Sequence, residues 1–231
     1  MNGTTMRGPR GDFHIPAGGG QREQDARFGM QSLFGGREDR PDPEYSYPRA
    51  CPEDVRTIVN VGVNLGAYLV WAMTDWWPGQ IVQAYGYDPN AKVLEFARRN
   101  CEGLPVELDA VAVTTASDPV TFYEFEDWGA SRTNMTDVGD VHGVAHEAIV
   151  VPAMHPRDLP AADVLQCDAE GVGHEVFEHY AHWAGVNVAS YETHHEEEVR
   201  VMQTMCERAG LVMRRGNPKN PANDVRVWVR P

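Results

Sequence analysis

From Thr57 onward, short apolar runs alternate with segments patterned as helices, and a glycine-punctuated turn joins the first such pair. Nothing else in the chain limits the fold as much. Strands linked through helices lie parallel in one sheet, and the helices cover both of its faces. Residues 57–62 (TIVNVG) read as a buried strand. Residues 65–77 are apolar on nearly every face and read as a buried helix, stopped by Pro78 and Gly79. Residues 83–88 give a second strand, and Asn90 can cap a helix over 91–100. Strands follow at 106–113, 119–126, 148–154 and 163–168, then a helix at 175–183 and a strand at 186–193. Residues 196–209 form the clearest helix: glutamates open it, Arg208 lies in its last turn and Gly210 stops it. Two last strands, 211–215 and 225–229, flank a Gly/Asn/Pro turn and read as a hairpin. The expectation is a Rossmann-like α/β sheet, mostly parallel, with a C-terminal antiparallel hairpin strand at one edge.

The 231 residues suffice for one large domain, expected over 51–231. Acids exceed bases by 34 to 20, for a net charge of −14, which argues against sequence-independent nucleic-acid binding and against an anionic membrane surface. The only lysines are Lys92 and Lys219. No uncharged apolar run is long enough to span a bilayer, and residues 1–20 lack the apolar core of a secretory signal. Cys51, Cys101, Cys167 and Cys206 are far apart, which disfavours a disulfide framework or zinc knuckle. A reducing cytoplasm is the expected location. Residues 1–50 are rich in Gly, Arg, Asp and Pro and read as a tail. Their apolar patch, Phe28, Met30, Leu33 and Phe34, would alternatively dock as a lid.

In open α/β sheets, ligands bind outside the carboxyl ends of the strands. Four segments bring polar or glycine residues there. Asn60-Val61-Gly62-Val63-Asn64-Leu65-Gly66 lets a ligand approach the backbone. Asp88, followed by Pro89, stands 22 positions beyond Gly66 at the end of the next strand, suited to a ribose diol. Asp168, Glu170 and Gly171 end a third strand; Glu192, His194 and His195 end a fourth. Such acids and a histidine can do acid/base work or hold a hard cation. Asn64 interrupts the dinucleotide glycine fingerprint and no Walker loop exists, so a nucleoside without a pyrophosphate fits better.

VNVGVNLGAYL, AYGYDPNAKVLEFARRN, DAVAV with VTFYEF and GASRTNM, DVLQCDAEGVGHEVF and SYETHHEEE, in this order, resemble the FkbM-type methyltransferases over about residues 55–212. These are class I enzymes that use S-adenosylmethionine and release S-adenosylhomocysteine. The resemblance implies a seven-stranded sheet with the cofactor across its carboxyl edge. It implies Asn60, Gly62, Asn64 and Gly66 at the methionine end, Asp88 and Pro89 at the ribose, and Asp109 and Ala110 at the adenine. Ser131, Asp168, Glu170, Glu192 and His194 would face the methyl donor or acceptor. Asn60, Gln166 and Gly173 stand where the family usually has Asp, Lys and Glu.

The implied activity is O-methylation of a small-molecule acceptor (a sugar, polyketide or other natural product), with Asp168 or His194 as the base. A nicotinamide oxidoreductase and a non-catalytic binding domain are the alternatives. Magnesium on Asp168 and Glu192 is a secondary option, and a homodimer is compatible with the reading. His142 with His146, and His179 with His182, read as solvated pairs, since H-E-x-x-H is absent. Trp71, Trp76 and Trp77 read as core, and Trp128 as a wall of the acceptor pocket.

Overall fold

Within the N-terminal segment read as a tail or lid, β1 (Gly3–Gly8) and β2 (Gly11–Pro16) pair as an antiparallel hairpin. Phe13 and Ile15 alternate with His14 on β2 and are buried in the same apolar cluster as Phe96. The backbone N–H of His14 donates to Asn100 Oδ1 at 2.6 Å, and Asn100 Nδ2 donates to the carbonyls of His14 (3.0 Å) and Leu65 (2.9 Å). Burying one Phe or Ile side chain stabilises by roughly 1.5–3 kcal/mol. Removing residues 1–17 is therefore expected to lower the urea midpoint clearly; an unchanged midpoint would mean that the hairpin adds nothing to the core. The computed structural model describes residues 3–8, 11–17, 52–125, 146–193, 196–216 and 224–231. The patch Phe28, Met30, Leu33 and Phe34 lies outside them.

The chain then runs through β3 (Thr57–Val61), α1 (Ala67–Trp71), β4 (Gln83–Tyr87), α2 (Ala91–Asn100), β5 (Val106–Asp109), β6 (Ala112–Val113) and β7 (Val120–Phe125). It continues through β8 (His146–Val151), β9 (Ala153–Met154), β10 (Val164–Cys167), α3 (Gly173–His179), β11 (Val188–Thr193), α4 (Glu196–Arg208), β12 (Val212–Arg215) and β13 (Asp224–Val229). One seven-stranded sheet has the order β12-β13-β11-β10-β3-β4-β5. Its five central and β5-side strands are mutually parallel, and β13 is antiparallel to both neighbours. The antiparallel strand therefore lies one position in from the edge, and β12 forms the edge itself.

Side chains alternate between two cores, as strands buried on both faces require. Ile58, Val164 and Val188 pack with α1 and α2, while Val59, Leu165 and Ala189 pack with α3 and α4. At the amino ends, Asp163 Oδ2 accepts from the backbone N–H groups of Arg56 and Thr57 and from Thr57 Oγ1, which pins β10 beside β3. Among the described residues no helix is long and apolar enough to cross a membrane.

Three differences from the sequence pattern have local causes. Gly66 takes a left-handed conformation (φ 80°), so α1 starts at Ala67, and residues 72–76 continue it as a π-turn. The π-turn brings residues five apart into line, and the rings of Trp71 and Trp76 meet at 4.4 Å. The expected strand 106–113 divides: β5 joins the main sheet, whereas β6 pairs with β9 in a separate ribbon. The expected strand 148–154 divides at Pro152, which has no N–H to donate to a ladder. Trp71 and Trp77 are buried in the core as expected, and His179 and His182 are exposed.

Candidate active site

Chain direction across the sheet reverses between β3 and β10: β4 and β5 continue to one side, β11 to the other. Such a switch point leaves a crevice at the carboxyl ends of the two strands. Gly62 follows β3, and Asp168 follows β10. The two approach so closely that a Cβ on Gly62 would lie 1.9 Å from the Asp168 carbonyl oxygen. Gly62 (φ 81°) and Asn64 (φ 50°) take left-handed conformations, which curl the chain away from the strand toward α1.

Asp88, just beyond β4, lines the crevice. Its Oδ2 accepts from the Asn64 N–H and its Oδ1 from the Asn90 N–H, both at 2.9 Å. The side chain is buried, and burial pushes its carboxyl up to about 6; the Asp168 charge adds to this, while the two backbone N–H groups pull the other way. Asn90 caps α2 as expected, accepting from the N–H groups of Lys92 and Val93. The cleft and its open mouth enclose about 750 Å³. Gly62, Asn64, Asp88 and Pro89 line one side, Asp168 and Glu170 another, and Val93, Val111, Val113 and Phe122 supply apolar wall.

Four amides of the glycine turn are bonded within the protein. Gly62 N–H and Val63 N–H both donate to the Tyr87 carbonyl, Asn64 N–H to Asp88 and Gly66 N–H to the Val63 carbonyl. A pyrophosphate would need such groups free. Apolar walls beside a buried acid at a strand end suit a nucleoside, with its base against the walls and its ribose diol on Asp88. On that chemistry the cleft fits S-adenosylmethionine better than a dinucleotide.

Six of the sequence-predicted residues meet in this cleft: Gly62, Asn64, Asp88, Pro89, Asp168 and Glu170. Asn60 does not. It is fully buried within the sheet, and its Nδ2 donates to Gln166 Oε1, its register partner on β10. The Asp-to-Asn and Lys-to-Gln departures thus meet each other as one neutral pair. Gly66 does not line the cleft either: a Cβ there would press on Ala97 of α2 and on Cys101 just after it at 3.1–3.3 Å, so it serves helix packing. Asp109 is exposed and Ala110 packs against the core on the α1 and α2 side, outside the cleft lining. The wall expected from them comes from Val111 and Val113.

Glu192, next to last in β11, stands one residue past the Cys167–Tyr191 register pair, level with Asp168 but outside the cleft lining. Ser131, Trp128, His194 and His195 lie outside the described residues. Among the described residues, no three His, Cys, Asp or Glu side chains converge to hold a metal ion. The sequence reading missed Val93, Val111, Val113 and Phe122. Val93, Val113 and Phe122 sit on ordinary apolar stripes and Val111 in the link between β5 and β6, and only the tertiary fold turns them into a cleft wall. It also missed a buried carboxylate, Glu198, whose Oε1 stands 3.8 Å from His174 Nδ1 under the same sheet edge. Gly173 leaves room for it: a Cβ there would lie 3.2 Å from Met202 Cε and 3.6 Å from Glu198 Oε1. The buried Cys167 thiol is pushed well up by burial first, then by Asp168 and Glu198, which favours its protonated form.

No protein-family model and no curated protein matches the chain. Solved structures with a similar fold include a precorrin-6y C5,15-methyltransferase from Geobacter metallireducens GS-15, 11% identical over 91% of this chain and 90% of that one, TM-score 0.41. Another is the methyltransferase FkbM of Methylobacillus flagellatus KT, 13% identical over 76% of this chain but only 44% of its own length, TM-score 0.49. A third is a putative O-methyltransferase from Klebsiella pneumoniae, 12% identical over 78% of this chain and 75% of that one, TM-score 0.40. The likeness to these methyltransferases is one of fold: a mixed α/β, mostly parallel, Rossmann-like sheet.

Proposed function

We propose that the chain transfers a methyl group from S-adenosylmethionine to a hydroxyl oxygen of a small molecule. One observation carries this reading: a buried carboxylate, Asp88, stands at a strand end beside apolar walls, while four amides of the adjacent glycine turn (Gly62, Val63, Asn64 and Gly66) are already bonded. That combination suits a nucleoside and disfavours the pyrophosphate of a nicotinamide cofactor.

The bound cofactor supplies an activated methyl group, so the protein's task is mainly orientation and proton removal. Asp88 accepts from the ribose hydroxyls. Val93, Val111, Val113 and Phe122 exclude water around the base. Gly62, where β3 and the chain after β10 meet closely, lies at the methionine end, and Asp168 and Glu170 stand at its boundary with the acceptor. Asp168 takes the acceptor hydroxyl's proton, with His194 as the other candidate base; Glu192 supports the same edge. The acceptor is a sugar, polyketide or related natural product, and the protein acts in the cytoplasm.

Calorimetry should detect S-adenosylhomocysteine and S-adenosylmethionine binding but no NAD binding; the reverse selectivity would replace this reading by the oxidoreductase. With purified protein and candidate metabolites, mass spectrometry should find the mass gain of one methyl replacing hydrogen. Cofactor binding without turnover on any acceptor class would favour a non-catalytic domain. Asp168→Asn is expected to lower kcat by about 10²–10⁴ while cofactor affinity changes far less. If His194→Ala alone causes that loss, the base is His194. EDTA should leave turnover intact; loss restored by magnesium would assign Asp168 and Glu192 to a metal.

A further inference from the structure

On the hairpin of β7 and β8, Glu124 and Glu147 stand directly opposite each other in the antiparallel register. Facing like charges destabilise such a pair, and the Glu124 side chain is only 2% exposed, which makes its charge costlier still. Lys92, in the first turn of α2, bridges both carboxylates. Its Nζ donates to Glu124 Oε2 at 2.7 Å and to Glu147 Oε2 at 3.3 Å. Hydrogen bonding to Glu124 raises the Lys92 pKa, so the bridge is charged. In a chain whose other bases are all arginine except Lys219, a compact ammonium stands where one point charge must serve two acceptors.

Both ends of this bridge adjoin the cleft. On the α2 side, Asn90 and Val93 line it; on the hairpin side Phe122 does. Phe122 lies two residues before Glu124, on the same buried face of β7. We propose that Lys92 is a positioning residue: it locks the β7–β8 hairpin to the first turn of α2 and so holds Phe122 in the cleft wall. The identity of the ligand rests on the reading above; the lock itself does not. Coupling between two sites is reciprocal, so a nucleoside against Phe122 tightens the hairpin as the hairpin tightens the nucleoside.

Hydrogen exchange on the full chain, without ligand, reads the lock directly. Lys92→Met should speed exchange several-fold across residues 120–125 and 146–151 and leave β3 and β10 as in wild type. It should also weaken S-adenosylhomocysteine by about tenfold, a size expected for coupled neighbours. Lys92→Arg, which keeps the charge but spreads it over a planar fork, should return only part of the protection. Adding Glu147→Gln to Lys92→Met removes the facing repulsion and should return part of the protection; a double variant as fast as the single one would overturn the electrostatic account. Wild-type exchange in the Lys92→Met hairpin, or exchange sped equally through the whole sheet, would overturn the lock. A loosened hairpin with unchanged affinity would overturn its link to the cleft. If the wild-type protein binds no S-adenosylhomocysteine, the functional reading falls, and the exchange comparison still decides the lock.

Discussion

Gly62→Ala is expected to destabilise the protein by more than about 4 kcal/mol, in the range reserved for a few severe mechanisms. Two effects add. Gly62 has φ 81°, where an L-residue costs roughly 1–2 kcal/mol. The added Cβ would also fall 1.9 Å from the Asp168 carbonyl oxygen and 2.6 Å from its carbon. Both obstacles are backbone and cannot swing aside. Retreat would break the Asp168 N–H bond to the Val61 carbonyl (2.9 Å), the last link between β3 and β10. Gly79→Ala isolates the first effect, because Gly79 has φ 72° and nothing within 4 Å of its Cβ position. Urea unfolding should place Gly79→Ala within about 2 kcal/mol of wild type and Gly62→Ala far below both. Equal losses would mean that β3 and β10 do not approach as closely as described. A folded remnant of Gly62→Ala should bind S-adenosylhomocysteine poorly, since the same contact shapes the cleft.

Gly62 was legible in the sequence because a local signal marks it: a glycine between a buried strand and a buried helix must turn the chain. Asp88, Asp168 and Glu170 were legible for a related reason, since a strand's end can be read from its own residues and fixes where the next side chain emerges. Asn60 and Gly66 sit in the same motif yet do different work. A strand pattern says that Asn60 is near the end but not that it is two residues short of the edge, facing Gln166 across the ladder. Gly66 looks like Gly62 in sequence, and only the arrival of α2 distinguishes a packing glycine from a cleft glycine.

What depends on distant parts of the chain could not be read. Val113 and Phe122 are apolar residues in strands and Val111 lies in the link just before β6; they become cleft wall because β6 leaves the main sheet to pair with β9, while β7 pairs with β8. Pro152 between β8 and β9 marks that division, but a proline says only that a ladder is interrupted. The N-terminal hairpin was hidden by composition: in a polar, glycine-rich stretch, two alternating apolar residues, Phe13 and Ile15, carry too little signal. The Lys92 bridge was hidden for a different reason, because its partners are 32 and 55 residues away.

Affinity for S-adenosylhomocysteine should rise with pH through about 6 and level off above it, and Asp88→Asn should abolish that rise. The Asp88 carboxyl is pushed up to about 6, first by burial and then by the Asp168 charge, against the pull of two backbone N–H groups. Its folded-state pKa therefore exceeds the unfolded value near 3.9. The proton is held more tightly in the folded protein, so its stabilising contribution is complete below about pH 4 and lost as pH rises to about 6. At neutral pH the ionised, buried group costs about 3 kcal/mol of stability. A ribose diol reverses the balance, because its hydroxyls donate to the charged form and favour it. Binding below pH 6 must then expel a proton, which is why affinity should climb through that window. In Asp88→Asn the charge-assisted bonds are gone, worth roughly 1.5–3 kcal/mol, so affinity at pH 7.5 should fall about 10- to 100-fold. One backbone amide loses its acceptor, but the buried charge is gone as well, so the ligand-free variant should unfold at or above the wild-type temperature at neutral pH. A site that weakens binding while firming the empty protein has its strain in the ligand-binding group itself. Calorimetric titrations from pH 5 to 8 on both proteins, with thermal unfolding of each without ligand, give the comparison. Parallel affinity curves for the two proteins would take Asp88 out of the ribose site, and a variant both weaker in binding and less stable would leave it a structural carboxylate only.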